Sequence, residues 1–131
     1  MAADLPAAAP PPAPATLRAV TLNLWGEQGP LKRRLELCQQ HLQALRPDIV
    51  ALQEVREIPG SLENTAATLA RALGMQWVFA EALPWGGGIE GLALLSRAPI
   101  RRSDHRELPH ATPSERRVVL HAELDFAGAG V

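Results

Sequence analysis

The chain has a single cysteine, Cys38, no tyrosine, and aromatic residues at only 4% of its 131 positions. One thiol excludes an internal disulfide and suits a reducing compartment, so a cytoplasmic location is expected. No apolar run approaches the ~18 residues that a membrane span needs, and no transmembrane segment is expected. Neither sign of charge dominates: 13 Lys and Arg stand against 14 Asp and Glu, for a net charge of −1. That balance lacks the basic field that carries tight duplex binding. No internal repeat is visible.

What is present is ordinary for a globular protein, with 47% hydrophobic and 21% charged residues. Only residues 1–15 are biased, holding five prolines and seven alanines. They lack the basic start and apolar middle of a secretory signal, and read as a disordered, extended leader. Residues 16–131 then form the one domain.

From Leu17 to Leu24 the chain alternates, with Val20, Leu22 and Leu24 on one face and Ala19, Thr21 and Asn23 on the other, the period of a strand. Gly26 to Asp48 reads as one amphipathic helix, with Pro30 at its first position and Leu35, Cys38, Leu42 and Leu45 on the apolar stripe. Cys38 thereby falls on the buried face, as a structural thiol. Arg46-Pro47 ends the helix, because the residue before a proline is pushed out of the α region. Ile49-Val50-Ala51-Leu52 has too few polar positions for a half-exposed strand and should be central. Ser61 is expected to cap a second helix carrying Leu62, Ala66, Leu69 and Leu73 and stopping at Gly74. Strands follow at Met75–Ala82 and Gly91–Ser96, then from Ile100 to about His105, and last from Glu115 to Leu124.

Two of these strands end on a polar residue: Asn23 closes Thr21-Leu22-Asn23, and Glu54 closes Leu52-Gln53-Glu54. A strand, a helix and a second strand make a parallel unit, which would set Asn23 and Glu54 side by side. In open α/β sheets ligands bind at the carboxyl ends of parallel strands. An amide beside a lone carboxylate on that rim is a candidate metal and phosphate site, because Mg²⁺ keeps several waters and needs only one or two protein carboxylates. The ordinary roles of such residues, a turn asparagine and a strand-end carboxylate, are the alternatives.

Three segments, Leu17-Arg18-Ala19-Val20-Thr21-Leu22-Asn23-Leu24-Trp25, Pro47-Asp48-Ile49-Val50-Ala51-Leu52-Gln53-Glu54-Val55 and Glu90-Gly91-Leu92-Ala93-Leu94-Leu95-Ser96-Arg97, resemble in order the endonuclease/exonuclease/phosphatase superfamily of Mg²⁺-dependent phosphodiesterases. The resemblance implies an α/β (α+β) fold, the N-terminal half of a four-layer α/β/β/α sandwich. It implies that Glu54 binds the catalytic Mg²⁺, with Mn²⁺ as a substitute, and that Asn23 helps to hold metal and phosphate. Members of that family are about twice as long. Their later Asn-x-His, Gly-Asp-x-Asn and closing Ser-Asp-His segments, which supply the general acid–base groups, have no counterpart in the matching places here. The expected function is therefore that of a Mg²⁺-dependent phosphoester hydrolase present as an N-terminal fragment inactive alone, with a non-catalytic binding half-domain as the alternative.

Other residues invite assignment. Ser103-Asp104-His105 spells the closing tripeptide, but it stands on an early strand rich in arginine and is read as coincidence. Pro84-Trp85-Gly86-Gly87-Gly88 lacks the Gly-Lys-Ser/Thr ending of a phosphate loop and reads as a hairpin. His110 and His121 have no serine, cysteine or metal-spaced partner and read as surface or strand residues. Lys32-Arg33-Arg34, Arg101-Arg102 and Arg116-Arg117 read as solvated faces or strand ends, and Arg116, on the inward face of the last strand, is the candidate contact for a substrate phosphate. The substrate stays open among nucleic acid, phosphoinositide, phospholipid and nucleotide. The inner sheet face, drawn from Val20, Leu22, Leu92, Leu94, Val118 and Leu120 or their alternates, should need a second sheet, supplied by a C-terminal half or by self-association.

Overall fold

The computed structural model describes residues 16–127 and 129–131; the leader expected over residues 1–15 lies outside the described residues. β1 (Ala19–Asn23) and β2 (Ile49–Glu57) pair in parallel and are joined by α1 (Leu31–Leu45). After α2 (Thr65–Leu73) the hairpin β3 (Gln76–Trp85) and β4 (Gly88–Ser96) completes a four-stranded sheet in the order β1-β2-β4-β3. β2 is thus central, as its unbroken apolar run requires. β5 (Ile100–Glu107), β6 (Val118–Phe126) and β7 (Ala129–Gly130) form a second sheet in the order β5-β6-β7.

Helix boundaries correct the sequence reading in two places. The first helix does not fill Gly26–Asp48: Gly26 and Gly29 hold positive φ of 54° and 66°, so a loop occupies that stretch and Pro30 is the cap rather than the first helical residue. It ends at Arg46, whose φ of 51° puts it in the left-handed region immediately before Pro47. The second helix is capped by Asn64, not Ser61. Asn64 Oδ1 accepts hydrogen bonds from the N–H groups of Ala66 at 3.0 Å and Ala67 at 3.3 Å. Ser61 is already used by a tight turn, in which Ile58 bridges Leu62 and the Ser61 N–H donates to Ile58 O at 3.0 Å. Gly74, at φ 66°, terminates the helix as expected.

Two cores lie on the two faces of the first sheet. On the helix side Val50, Leu52, Val55, Ala93 and Leu95 pack with Leu42 of α1 and Ala66, Leu69 and Ala70 of α2. Cys38 is half-buried against this core. On the other side Leu124, Phe126 and Ala98 pack with Ile49, Leu94, Ile100 and Ala122. Val20 and Leu22 belong to the helix side, so in β1 it is their alternates Ala19, Thr21 and Asn23 that face the other way, and they are exposed. The covering sheet expected from outside is in part this chain's own, since β5–β6–β7 packs over the β3–β4 side. The layers in hand are helices, first sheet, second sheet: the α/β fold that was expected.

Candidate functional site

Glu54 does not end its strand. β2 continues to Glu57, and the ladder with β4 slips between Leu52 and Val55, which face Ala93 and Gly91. Gln53 and Glu54 together oppose Leu92, which is a β-bulge. Regular alternation would turn Glu54 away from its neighbour's side, but a φ of 52° rotates it instead toward the gap between the two sheets. A left-handed backbone costs a non-glycine residue ~1–2 kcal/mol, and persists only where surrounding bonds hold it. Here those bonds come from the loop after β1: the N–H of Leu24 donates to Gln53 O at 2.9 Å and that of Gly26 to Glu54 O at 3.2 Å. Trp25, between them, is left-handed as well, at φ 58°.

The gap is an open cleft of ≈ 590 Å³. Trp25, Gly26, Glu27 and Glu54 form one wall, Trp85 and Glu90 lie on the hairpin side, and Arg116, Arg117 and Val118 belong to the second sheet's entry. The Glu54 carboxylate makes no hydrogen bond or ion pair among the described residues. Glu90 is held above the usual carboxylate range, chiefly by burial and then by the negative charge of Glu54. Both facts describe a pocket with unbalanced negative charge at its base.

Beside it sits a fully buried guanidinium, Arg56, that local residue patterning does not signal. Arg56 Nε donates to Glu27 Oε2 at 2.5 Å, while its terminal nitrogens donate to Gly86 O at 2.9 Å and Ile89 O at 3.2 Å. One side chain so ties the β1–α1 loop to the β3–β4 hairpin. A Cβ at Gly86 would stand 2.6 Å from the Arg56 guanidinium, so the hairpin's first turn residue must be glycine for space as well as for its φ of 48°. With Gly87 at φ 77°, the turn is of the type that favours tight hairpins, and the hairpin expectation for the glycine run is met. The bond from Arg56 also holds the Glu27 carboxyl below its usual range. An alternating pattern cannot reveal Arg56, because its burial depends on partners from two segments about 30 positions away.

Asn23 and Glu54 lie on adjacent strands but not in register: Asn23, the last residue of β1, faces Gln53. Its Oδ1 accepts from the Trp25 N–H at 2.8 Å, so the amide oxygen closes the turn that carries Trp25. Asn23 is exposed and its side chain does not line the cleft. Arg116 does line it, though as a residue preceding β6, after the 3₁₀ turn Pro113–Glu115, and not as the strand's first inward position. Its Nε is buried without a hydrogen-bond partner among the described residues, with Glu107 at 3.8 Å.

The remaining expectations sort by position. His121 has a partner after all: its Nδ1 lies 3.0 Å from Asp104 Oδ1, across the β5–β6 ladder on an exposed face. Asp104 and His105 are absent from the cleft lining. Arg101 and Arg102 pair with Asp125 and Glu123 at 2.6 and 2.7 Å. Arg34 is not a solvated charge; it folds back onto the backbone carbonyls of Leu24 at 2.6 Å and Gln28 at 2.8 Å and covers the Trp25 ring at 5.4 Å. Among the described residues no group of three or more His, Cys, Asp or Glu side chains is placed to hold a metal ion. An unpaired carboxylate, Glu54, in an open, wettable cleft nevertheless fits the donor set of a hydrated hard cation.

Comparison with known proteins agrees with this geometry. The sequence model of the Endonuclease/Exonuclease/phosphatase family matches residues 20–129. No curated protein matches the chain. Among solved structures, the chain is similar to an endonuclease/exonuclease/phosphatase family protein from Leptotrichia buccalis C-1013-b, with a TM-score of 0.76 at 16% identity over 88% of this chain and 52% of that one. It is also similar to an endonuclease/exonuclease/phosphatase from Beutenbergia cavernae DSM 12333, with a TM-score of 0.65 at 24% identity over 87% of this chain and 36% of that one. A third similarity is to a D. rerio TDP2 humanized by 14 mutations, with a TM-score of 0.63 at 21% identity over 87% of this chain and 44% of that one. The chain therefore spans about half or less of the length of these structures.

Proposed function

Since the chain belongs to the Endonuclease/Exonuclease/phosphatase family, we propose that it carries the Glu54 side of a divalent-metal phosphoester hydrolase. The observation that bears most weight is the Glu54 carboxylate itself, unpaired and turned into the cleft by a strained bulge. Glu54 is the ligand for Mg²⁺ or Mn²⁺. The chemistry such an ion supplies when bound is charge stabilisation on the phosphoryl and leaving oxygens. Arg116 and Arg117 on the opposite wall attract the phosphate, whereas Asn23, outside the cleft lining, acts by closing the turn that carries Trp25. Arg56 fixes both cleft walls so that these groups meet substrate without rearrangement.

The membership is consistent with substrates as different as nucleic acid, nucleotides, phosphoinositides and phospholipids. General acid–base groups are not among the side chains of this cleft other than its glutamates, and their absence typically costs ~10²- to 10⁴-fold in rate. The 131 residues alone are accordingly expected to turn over slowly and to accelerate when a C-terminal half of the family pattern is supplied in trans. A second reading, a binding half-domain, draws on the exposed inner face of β1 at Ala19, Thr21 and Asn23.

The test pairs binding with turnover. Mn²⁺ binding followed by electron paramagnetic resonance should weaken at least tenfold in Glu54→Gln, and Mg²⁺-dependent hydrolysis of bis(p-nitrophenyl) phosphate by the complemented protein should fall at least a hundredfold. Near-normal values for both in the variant would remove Glu54 from the mechanism. Mn²⁺ binding without hydrolysis, in the presence of the complementing half, would favour the binding reading.

A further inference from the structure

Two of the three tryptophans stand in the cleft and are mostly exposed: Trp25 at 58% and Trp85 at 56%. An indole buries 150–250 Å² when it joins a core, so leaving two of them in water beside one pocket forgoes a large stabilisation. Neither is on a slack loop. Trp25 is followed by Gly26 and Glu27, and Glu27 is locked to Arg56 at 2.5 Å. Trp85 is followed by Gly86, whose carbonyl accepts from the same guanidinium at 2.9 Å. One buried arginine thus braces the backbone next to both rings. Trp25 is additionally backed on one face by the Arg34 guanidinium at 5.4 Å, and a Cβ on Gly29 would sit 3.6 Å from its ring edge. The indole is thus held by Arg34 on one face and rests its edge near Gly29.

We infer that Trp25 and Trp85 form a ring-stacking subsite of this cleft, and that the phosphoester it accepts carries an unpaired nucleobase. The inference rests on the phosphoester reading above and narrows it. Flat aromatic surface beside Arg116 and Arg117 matches a ligand that joins a planar ring to a phosphate. Base stacking on an aromatic side chain is insensitive to base identity and requires the base to be out of a duplex. A net charge of −1 is consistent with that, since duplex binding draws on a basic field that this chain lacks. A saturated inositol ring has no π-face to offer. A quaternary ammonium would be a second cation next to a ring already faced by Arg34.

The third tryptophan supplies an internal control, because Trp77 lies on a different surface beside Glu57 to Ala67. Indole ¹H–¹⁵N spectra of the whole chain, recorded in EDTA so that no metal or turnover is involved, are titrated with adenosine 5′-monophosphate, myo-inositol 1-phosphate and phosphocholine. The Trp25 and Trp85 signals should shift and saturate with adenosine 5′-monophosphate while Trp77 stays in place. The nucleotide should bind at least tenfold tighter than either other ligand. Trp25→Ala or Trp85→Ala should weaken it about tenfold, in line with the alanine effects seen for stacked bases, and the phenylalanine variants should recover most of the loss. Equal affinity for the inositol phosphate, tighter phosphocholine, joint movement of Trp77, or no shift at all would each overturn the subsite. Indole shifts that persist in Glu54→Gln alongside wild-type hydrolysis would remove only the hydrolase reading. Hydrolysis that needs Glu54 with unmoved indoles would remove only the subsite.

Discussion

The two ends of β2 each hold a carboxylate near arginines, and they are built in opposite ways. At the start of the strand Asp48 is buried and saturated: Oδ2 accepts the Arg18 N–H at 2.8 Å, Oδ1 accepts Arg97 Nε at 3.0 Å, and the Arg97 terminal nitrogen closes a second bond to the same oxygen. The Arg18 backbone bond first, and the Arg97 guanidinium second, hold its carboxyl below the usual range. Nearer the other end Glu54 has none of these partners, and its neighbour Glu90 is pushed upward. Arg56, beside the cleft, is committed to Glu27 and two carbonyls, and Arg116 and Arg117 stand on the opposite wall. A carboxylate bonded through both oxygens ties the start of β2 to the segments flanking β1 and β4; one left without partners, on a strained backbone, is available to a ligand.

The contrast breaks most sharply at Glu54. Glu54→Gly should reduce metal-dependent hydrolysis of the complemented protein at least a hundredfold, yet leave the chain no less stable than the parent, because glycine relieves the φ of 52°. A thermal melt alongside the rate measurement checks both halves. Loss of folding would mean that Glu54 is structural, like Asp48.

Removing Arg56 should show the next largest effect, on stability. Arg56→Met leaves the Glu27 carboxylate and two carbonyls without their donor, and breaking a buried ionic pair of this kind costs about 3–5 kcal/mol. Urea unfolding measures it. Asp48→Asn should cost about 1–3 kcal/mol through its charge-assisted bonds, with Mn²⁺ binding unchanged. An Asp48 variant that lost metal binding would erase the distinction between the two ends.

Acid should destabilise the closed sites. Glu27 and Asp48 have folded values depressed below their ordinary 4.5 and 3.8. Their stabilisation is therefore present in full above the ordinary value and is lost as pH falls through the depressed one. Glu90, whose value is raised, adds stability as pH falls toward its ordinary 4.5, whereas unfolding midpoints should decline below about pH 4.5 as Glu27 and Asp48 are protonated, and Asp48→Asn should flatten that decline. The smallest effect is expected for Asp104→Ala and His121→Ala. Their 3.0 Å pair is exposed on the face away from the cleft, so each should stay within about 0.5 kcal/mol of the parent. Loss of hydrolysis in either would restore the tripeptide that contains Asp104 to the mechanism.

Periodicity carried the elements well, because each strand or stripe reports its own buried face. The central place of β2, the Pro47 and Gly74 helix ends and the Gly86-Gly87 hairpin were all legible in local residue types. The cap of α2 was misread, since Ser61 and Asn64 are equally good caps in isolation and only the Ile58–Leu62 bridge removes the first. The face of β1 was left open for a related reason: Val20 and Leu22 alternate with Ala19 and Thr21 whichever side the helices take.

For the site, the sequence by itself determined that an amide, Asn23, and a carboxylate, Glu54, would stand on neighbouring parallel strands, because the pairing of β1 and β2 follows from their connection. Only the tertiary structure decided that they are out of register, that Glu54 sits within a bulge inside a longer strand, and that Asn23 closes a turn. It alone brought Arg56 under the cleft, Arg34 onto Trp25 and Asp104 beside His121. The division has a physical cause. Period and caps are properties of residues a few positions apart, whereas burying a charge, holding a left-handed backbone or exposing a pair of indoles depends on bonds to segments 10 to 33 positions away.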